Sequence, residues 1–253
     1  MKHWRLLDLS QDAGAKQMAI DEAILRARIK NQVPNTLRFY TWAPPAITVG
    51  FFQDIEEEVD IEKVKKQGVD IVRRYTGGGA VFHNKEITYS LALTEKETSR
   101  DVVKSYEKIC AGLIEGLKML GLKASFSPIN DILANGKKIS GNAQTRKEGV
   151  ILQHGTILLD VEVEKMFSLL KVPDEKIKDK LIKNVKERVT SLKRETNGNL
   201  SAEEIKQALT KGFEKVFGIS FIQSGLIAEE IKTADRLYKE KYLSDAWNYQ
   251  RKI

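Results

Sequence analysis

The chain has 253 residues, 42% hydrophobic and 30% charged, with only 5 prolines, which excludes a disordered or fibrous protein and allows a substantial core. A single cysteine, Cys110, excludes an internal disulfide, and the three histidines (His3, His83, His154) stand at spacings that build no zinc site. The net charge of +7 suits an anionic nucleotide or an acidic protein partner; with charges mixed along the chain, no basic tail and no aromatic-interleaved stripe, it argues against nucleic acid. No apolar run approaches the roughly 20 residues that span a bilayer, and the start, Met1 to Arg5, leads into a mixed polar segment with no signal-type stretch. The expectation is a cytoplasmic protein with no membrane partner.

In chain order, residues 4–9 read as a strand and 13–30 as a helix, with Met18, Ala19, Ala23, Ile24 and Ala27 on one face. Strands are predicted over 36–42 and 46–52, separated by the turn signal Ala43-Pro44-Pro45. A short helix over 60–67 ends at Gly68, and a strand over 69–75 runs into Gly77-Gly78-Gly79. Residues 86–94 are rich in β-branched and aromatic types and read as a strand. The clearest helix is 101–120, where Val102, Tyr106, Ile109, Leu113 and Leu117 recur at helical spacing and Cys110 joins the apolar face as a core residue. A fragmented β region over 124–160 contains the hairpin signal Asn135-Gly136. Helices follow over 164–170 and 174–186, and Ser201-Ala202-Glu203-Glu204 is a capping box for a helix to Phe217. A strand over 220–223 and a terminal helix from Ala228 complete the chain. Strands outnumber helices before residue 160 without regular alternation, which predicts α+β with a mixed sheet rather than a doubly wound parallel one.

Three segments carry chemistry. The first is Arg73-Arg74-Tyr75-Thr76-Gly77-Gly78-Gly79-Ala80-Val81-Phe82-His83. Three consecutive glycines between strand-like flanks cost backbone entropy and make sense where another group approaches the main chain. Their N–H groups can cradle a phosphate or carboxylate, and two arginines upstream offer forked donors for oxyanions. No Gly-Lys-Ser/Thr follows, so this is not a Walker loop; a plain glycine bend with solvated arginines is the competing reading. The second runs from Asn130 to Gln144, where the hairpin delivers Lys137 and Lys138 onto one strand, one facing solvent and the other the packed or cleft side of the sheet. Lys138 leads into Ser140-Gly141-Asn142-Ala143, small side chains that leave room for a ligand. A cleft lysine is a compact charge suited to a phosphate or activated carboxylate, although both lysines can equally be hairpin-tip charges. The third is Gln153-His154-Gly155 inside an apolar strand, either lining a pocket or holding a hydrogen-bonded core histidine. Asp21 and Glu22 are open between a solvated pair and a cleft lining.

Together these segments resemble the lipoate–protein ligase A family. Residues 37–53, 172–176, 187–190 and 241–248 fit the same pattern, so the resemblance covers nearly the whole chain in the right order. It implies the mixed-sheet catalytic domain shared with biotin ligases, helices packed around the sheet, as a single domain over 1–253. The additional C-terminal domain of many ligases is expected to be absent and supplied by a separate accessory subunit. The implied reaction joins lipoate and MgATP into a lipoyl-adenylate, which a lysine of an acceptor protein then attacks; the acceptor is a lipoyl domain or a glycine-cleavage carrier protein. By resemblance Lys138 is catalytic. Arg74, Gly79, Ala80, Val81 and Phe82 join it around the nucleotide. Arg73, Gly77, Gly78, His83, Ser140, Gly141, His154 and Gly155 line the lipoate pocket, and Asn130 and Asp131 are the candidates for the magnesium. Bacterial octanoyltransferases share this fold but hold the acyl group on a cysteine in the loop before the Gly-Lys-Lys hairpin. Residues 123–131 contain no cysteine. The expected activity is therefore ATP-dependent lipoate ligation, with ATP-independent octanoyl or lipoyl transfer from a carrier as the alternative. A biotin ligase is disfavoured by the absence of its Gly-Arg-Gly-Arg loop, and a silent sensor by the retention of Lys138 and the glycine loop.

Overall fold

The computed structural model describes residues 2–172, 175–196, 198 and 200–252. Pro173 and Asp174, in the 172–176 segment and at the predicted start of the 174–186 helix, lie outside the described residues. The strands are β1 (Lys2–Asp12), β2 (Thr36–Trp42), β3 (Ala46–Val49), β4 (Asp70–Arg73), β5 (Val81–His83), β6 (Glu86–Thr94), β7 (Ala124–Ser127), β8 (Asp131–Ala134), β9 (Lys137–Lys147), β10 (Val150–Leu158) and β11 (Ile219–Ser224). The helices are α1 (Gly14–Ile29), α2 (Ile55–Glu58), α3 (Ile61–Lys66), α4 (Val102–Met119), α5 (Val163–Leu169), α6 (Glu175–Arg188), α7 (Leu192–Glu195), α8 (Ala202–Phe217), α9 (Ala228–Leu237) and α10 (Asp245–Asn248).

Among the described residues, eight strands form one sheet in the order β11-β1-β2-β6-β10-β9-β8-β7, and β4-β3-β5 form a second. The β11–β1–β2 pairings are parallel, and the β2–β6, β6–β10 and β10–β9 pairings antiparallel. The fold is therefore the mixed-sheet α+β type. Alternation along the strands divides the core in two. Leu37 and Phe39 of β2 face a cluster with α4 and α8, while Tyr40 and Trp42 face one with α1 and α9. Both faces of the large sheet are thus covered.

α4 and α8 approach closely at glycines, with the Phe213 ring of α8 laid on Gly112 of α4. A Cβ on Gly212 would lie 2.2 Å from the Gly112 carbonyl oxygen, and one on Gly116 would lie 2.6 Å from Leu209 Cα. The α8 start carries the predicted capping box, with Ser201 Oγ accepting from the Glu204 N–H at 3.2 Å and Glu204 accepting from the Ser201 N–H at 2.8 Å. The Asn135-Gly136 turn joins β8 to β9 with positive φ at both residues, 49° and 79°, as a two-residue hairpin of this hand requires.

Several elements differ from the sequence reading. β3 stops at Val49, where the chain turns through residues 50–53 toward α2, and β4 stops at Arg73, where it enters the glycine loop. β5, α2 and α7 span three or four residues each, too few for periodicity to register. The terminal helix ends at Leu237, followed by a wide helical turn, Tyr238–Tyr242, and α10. No helix among the described residues is long and apolar enough to cross a membrane.

Candidate active site

A cavity of roughly 400 Å³ opens between the two sheets. Met18, Trp42, Phe82, Leu158 and Met166 give it an apolar interior. The glycine loop between β4 and β5 forms one rim, the β8–β9 hairpin another, and Val185 and Val189 at the end of α6 roof it. Apolar walls with a few convergent polar groups are the usual construction of a small-molecule site.

Lys138 stands at the rim. Its Nζ lies 2.8 Å from Asp131 across the hairpin, with both side chains partly exposed. The register slips between Ile132 and Leu133, so Ile139 is taken up as a bulge and Lys138 is aimed at the cavity while Lys137 stays exposed. A Cβ on Gly141 would come within 3.1 Å of Lys138 Nζ, so the bare glycine makes space for the ammonium group. One lysine out and one inward was the alternation the sequence required.

The paired arginines part company, Arg73 as the last residue of β4 and Arg74 as the first beyond it. Arg73 is fully buried and away from the cavity. It donates to the carbonyl oxygens of Gly50, Phe51 and Gln53 at 2.9, 2.9 and 2.6 Å and to that of Asn248 at 2.6 Å, locking the C-terminal segment to the β3 turn. It does not line the pocket as the resemblance implied. Arg74 does. Its guanidinium donates to Gly77 and Gly79 carbonyl oxygens at 2.7 and 2.8 Å and to Thr48 Oγ1 at 3.1 Å, and burial lowers its pKa to about 10. No carboxylate among the described residues lies within ion-pair distance of it. With the loop carbonyls turned to Arg74, the N–H groups of Gly77, Gly78, Gly79 and Ala80 have no acceptor among the described residues. Gly78, Gly79, Ala80, Val81 and Phe82 line the cavity; Gly77 lies off it, beside Phe52.

Both cavity histidines are held at both ring nitrogens. His83 contacts Glu86 at 2.6 Å and Thr48 at 2.8 Å and stacks on Trp42 with ring centroids 4.1 Å apart. His154 contacts Thr76 at 2.7 Å and Asp21 at 3.3 Å. Burial pushes the His154 imidazole below its usual pKa. It is both of the things the sequence left open, a pocket wall and a hydrogen-bonded core histidine. Burial raises the Asp21 carboxyl, but the His154 and Ser90 hydrogen bonds and the Arg38 charge outweigh it and hold Asp21 below the usual carboxylate range. Asp21 accepts from the Arg38 guanidinium at 2.7 Å and from the Tyr40 hydroxyl at 3.0 Å. Glu22 is also buried, paired with Lys241 at 2.8 Å, whose ammonium sits 3.8 Å from the Trp247 ring centre. Neither acid is a solvated helix charge. α1 is buried nearly all round, so its polar positions face inward too.

Gly155 lines the cavity because nothing larger fits: a Cβ there would lie 2.2 Å from Asn142 Oδ1. Asn142 accepts from Tyr89 OH at 2.7 Å and donates to the Asn130 carbonyl at 2.8 Å, bracing the loop before the hairpin. Ser140 is fully buried, 3.3 Å from the Asn142 amide, and stays outside the cavity lining. Asn130 and Asp131, the candidates for magnesium, flank the hairpin: the Asn130 amide N–H donates to the Asn142 carbonyl oxygen and the Asp131 carboxylate pairs with Lys138, and the described residues hold no group of three or more His, Cys, Asp or Glu placed to bind a metal ion. Cys110 is buried in α4 with its thiol 3.8 Å from the Gln153 amide, and burial pushes the thiol up to about 12. Tyr40, Trp42, Met166 and Val185 were not singled out from the sequence. They come from three separate segments that only the fold brings together.

The chain belongs to the family of lipoyl protein ligase A/B catalytic domains, whose model matches residues 13–214. It is 39% identical to the octanoyltransferase LipM of Geobacillus kaustophilus over 98% of both chains, and 34% identical to the octanoyltransferase LipM of Bacillus subtilis, again over 98% of each. Among solved structures it is similar to a bi-partite lipoate protein ligase from Thermoplasma acidophilum, studied with its E2 lipoyl domain (32% identity, TM-score 0.89, 98% of this chain and 97% of that one). A lipoate-protein ligase A bound with ATP is similar too (30% identity, TM-score 0.84, 98% and 99%). The fold is that of lipoate-protein ligases, and the chain is an enzyme of the lipoate ligase and transferase family. The expectation of ATP-dependent lipoate ligation is overturned by the curated relatives, which match end to end and are octanoyltransferases; ATP and magnesium lose their support with it. The missing loop cysteine had separated the two activities in the sequence reading. It now bears on how the acyl group is carried, not on whether it is activated with ATP.

Proposed function

We propose that this chain transfers an octanoyl group from a carrier-bound thioester to the ε-amine of a lysine on a lipoyl-type acceptor protein, without ATP. The observation that carries the reading is the full-length similarity to octanoyltransferases. The cavity agrees with it: an apolar interior takes the acyl chain, and Lys138 at the rim meets its carbonyl end.

In this reading the acyl carbonyl lies between Lys138 and the unpaired N–H groups of Gly78, Gly79 and Ala80. Attack by the acceptor amine places negative charge on that oxygen, and preorganised donors lower the barrier at that point. The carbon–sulfur bond breaks, the carrier leaves as a thiol, and the amine proton passes to the departing sulfur through solvent. Arg74 holds the loop carbonyls away from the site and so keeps the N–H groups available. Cys110 is the only cysteine, buried and with a thiol far from ionisation at neutral pH, so the chain offers no thiolate to carry the acyl group. Transfer then runs directly from donor to lysine, both held in one cavity.

The partners are the acyl carrier and the acceptor; the bi-partite neighbour adds a separate accessory chain to those worth assaying. The test supplies an unmodified lipoyl domain with an octanoyl carrier protein and no nucleotide, followed by intact mass. The acceptor gains one octanoyl group while the enzyme's mass stays unchanged. An acceptor left unmodified would refute the function, and an octanoylated enzyme would refute direct transfer.

A further inference from the structure

Helix α6 leaves half of an apolar stripe uncovered. Ile177, Leu181, Val185 and Val189 recur every fourth residue and share one slowly drifting face. The inner two, Val185 and Val189, roof the acyl cavity. The outer two are open to solvent, Ile177 at 48% and Leu181 at 37% exposure. Among the described elements α6 packs chiefly on α5 and β9, which leaves Ile177 and Leu181 open on its outer half. Its inner end is fastened to the catalytic strand: Val189 pairs with Lys138, and the Thr190 N–H donates to the Lys138 carbonyl at 2.8 Å. From Ile177 onward α6 carries Lys178, Lys180, Lys183, Lys186 and Arg188 against Asp179 and Glu187, with Lys186 paired to Glu164 of α5.

We propose that the outer half of α6 is the docking surface for the acceptor: an acidic folded domain that rests on Ile177 and Leu181 and presents its target lysine to the rim at Lys138. Reach decides between the two possible partners. A lysine side chain is four methylenes long, so the body of the acceptor must sit close to Lys138; α6 is bonded there at its inner end and carries Leu181 and Ile177 roughly 12–18 Å outward, within the span of one small folded domain. A carrier delivering its acyl group on a long flexible arm has no such need. Charge agrees: a lysine-rich flank around an exposed apolar pair steers and seats an acidic surface, with rim charges acting mainly on association and its salt dependence. The proposal takes the identity of the lysine-bearing partner from the family and the acyl-transfer reading, but its binding step needs no acyl donor.

Titration calorimetry of an acidic, unmodified lipoyl domain against the full chain tests it. The double variant Ile177→Ser/Leu181→Ser weakens binding at least tenfold, and Lys180→Glu/Lys183→Glu weakens it comparably and removes most of its salt dependence. Both variants keep the unaltered chain's rate of octanoyl transfer to a small lysine amide, since neither pair of residues lines the cavity. Unchanged acceptor affinity in both variants overturns the proposal, as does weakened binding of the acyl carrier protein with acceptor binding intact. If no form of the chain transfers octanoate to the small amine, the acyl-transfer reading fails while the calorimetry still decides the docking surface.

Discussion

Lys138 shows how a single residue is specified at two levels. The Asn135-Gly136 hairpin sets which of two adjacent lysines faces inward, and the bulge at Ile139 with the bare Gly141 sets where its ammonium ends. Its only ion-pair partner among the described residues, Asp131, is itself about a third exposed, so the pair adds little to folding stability. Lys138→Ala is expected to lower kcat for octanoyl transfer by about 100- to 1000-fold, the cost of removing one preorganised donor from a developing oxyanion. The melting temperature should stay near that of the unaltered chain, as read by circular dichroism. A variant of normal rate would remove Lys138 from the chemistry. The arginines beside the loop were less legible. Arg73 and Arg74 are chemically identical in sequence and opposite in structure, because β4 ends between them and one turns to the C-terminal segment and the other to the cavity. Nothing local to them names Asn248 as a partner 175 residues away.

At the scale of elements, the glycine loop separates glycines needed for folding from those open to a ligand. Gly50 has no room for a side chain: a Cβ would lie 1.9 Å from the Gly78 carbonyl oxygen. Gly79 has open space around it. Gly50→Ala is expected to cost about 1–3 kcal/mol of stability, the range for a forced backbone shift. Gly79→Ala should fold with near-normal stability yet raise KM for the octanoyl donor, since the methyl group enters the space assigned to the acyl carbonyl. Denaturant titration and steady-state kinetics on the two variants distinguish these outcomes. The long elements were legible because many residues vote together: α4 and α8 carry full apolar stripes, and the Ser201 capping box marks the α8 start. β5 and α2 were not, because three or four residues carry no period. α1 was legible as a helix but not as a buried one. Asp21 and Glu22 stay open between a solvated pair and a cleft lining until Arg38, His154 and Lys241 arrive from distant strands and the C-terminal turn.

Across the whole molecule, one polar network ties the two sheets and α1 around the cavity. Asp21 of α1, Arg38 and Tyr40 of β2, His154 of β10 and Thr76 of the glycine loop are all buried and mutually bonded. This couples folding to pH with a definite sign. His154 has a folded pKa below its unfolded value of about 6.5, so the unfolded chain binds the proton more readily. Stability from this residue is complete above about pH 6.5 and declines as pH falls toward the folded value. Asp21 is depressed, so its contribution holds above about pH 3.9 and is lost only as pH falls through its lower folded value. Urea titrations between pH 7.5 and 5.5 should show falling stability, with a flatter slope in His154→Gln; equal slopes would mean that His154 protonates as freely folded as unfolded.

The class of enzyme was legible from the ordered motifs, but the acyl donor was not, because the fold is shared with lipoate-protein ligases while the chain's full-length relatives are octanoyltransferases. The direct measurement offers an unmodified lipoyl domain two donors at once, unlabelled octanoyl carrier protein and deuterated octanoate with MgATP. Mass analysis of the acceptor after one turnover reads which was used. An unlabelled octanoyl-lysine is the expected product; a deuterated one would show that free octanoate is activated with ATP and overturn carrier-dependent transfer.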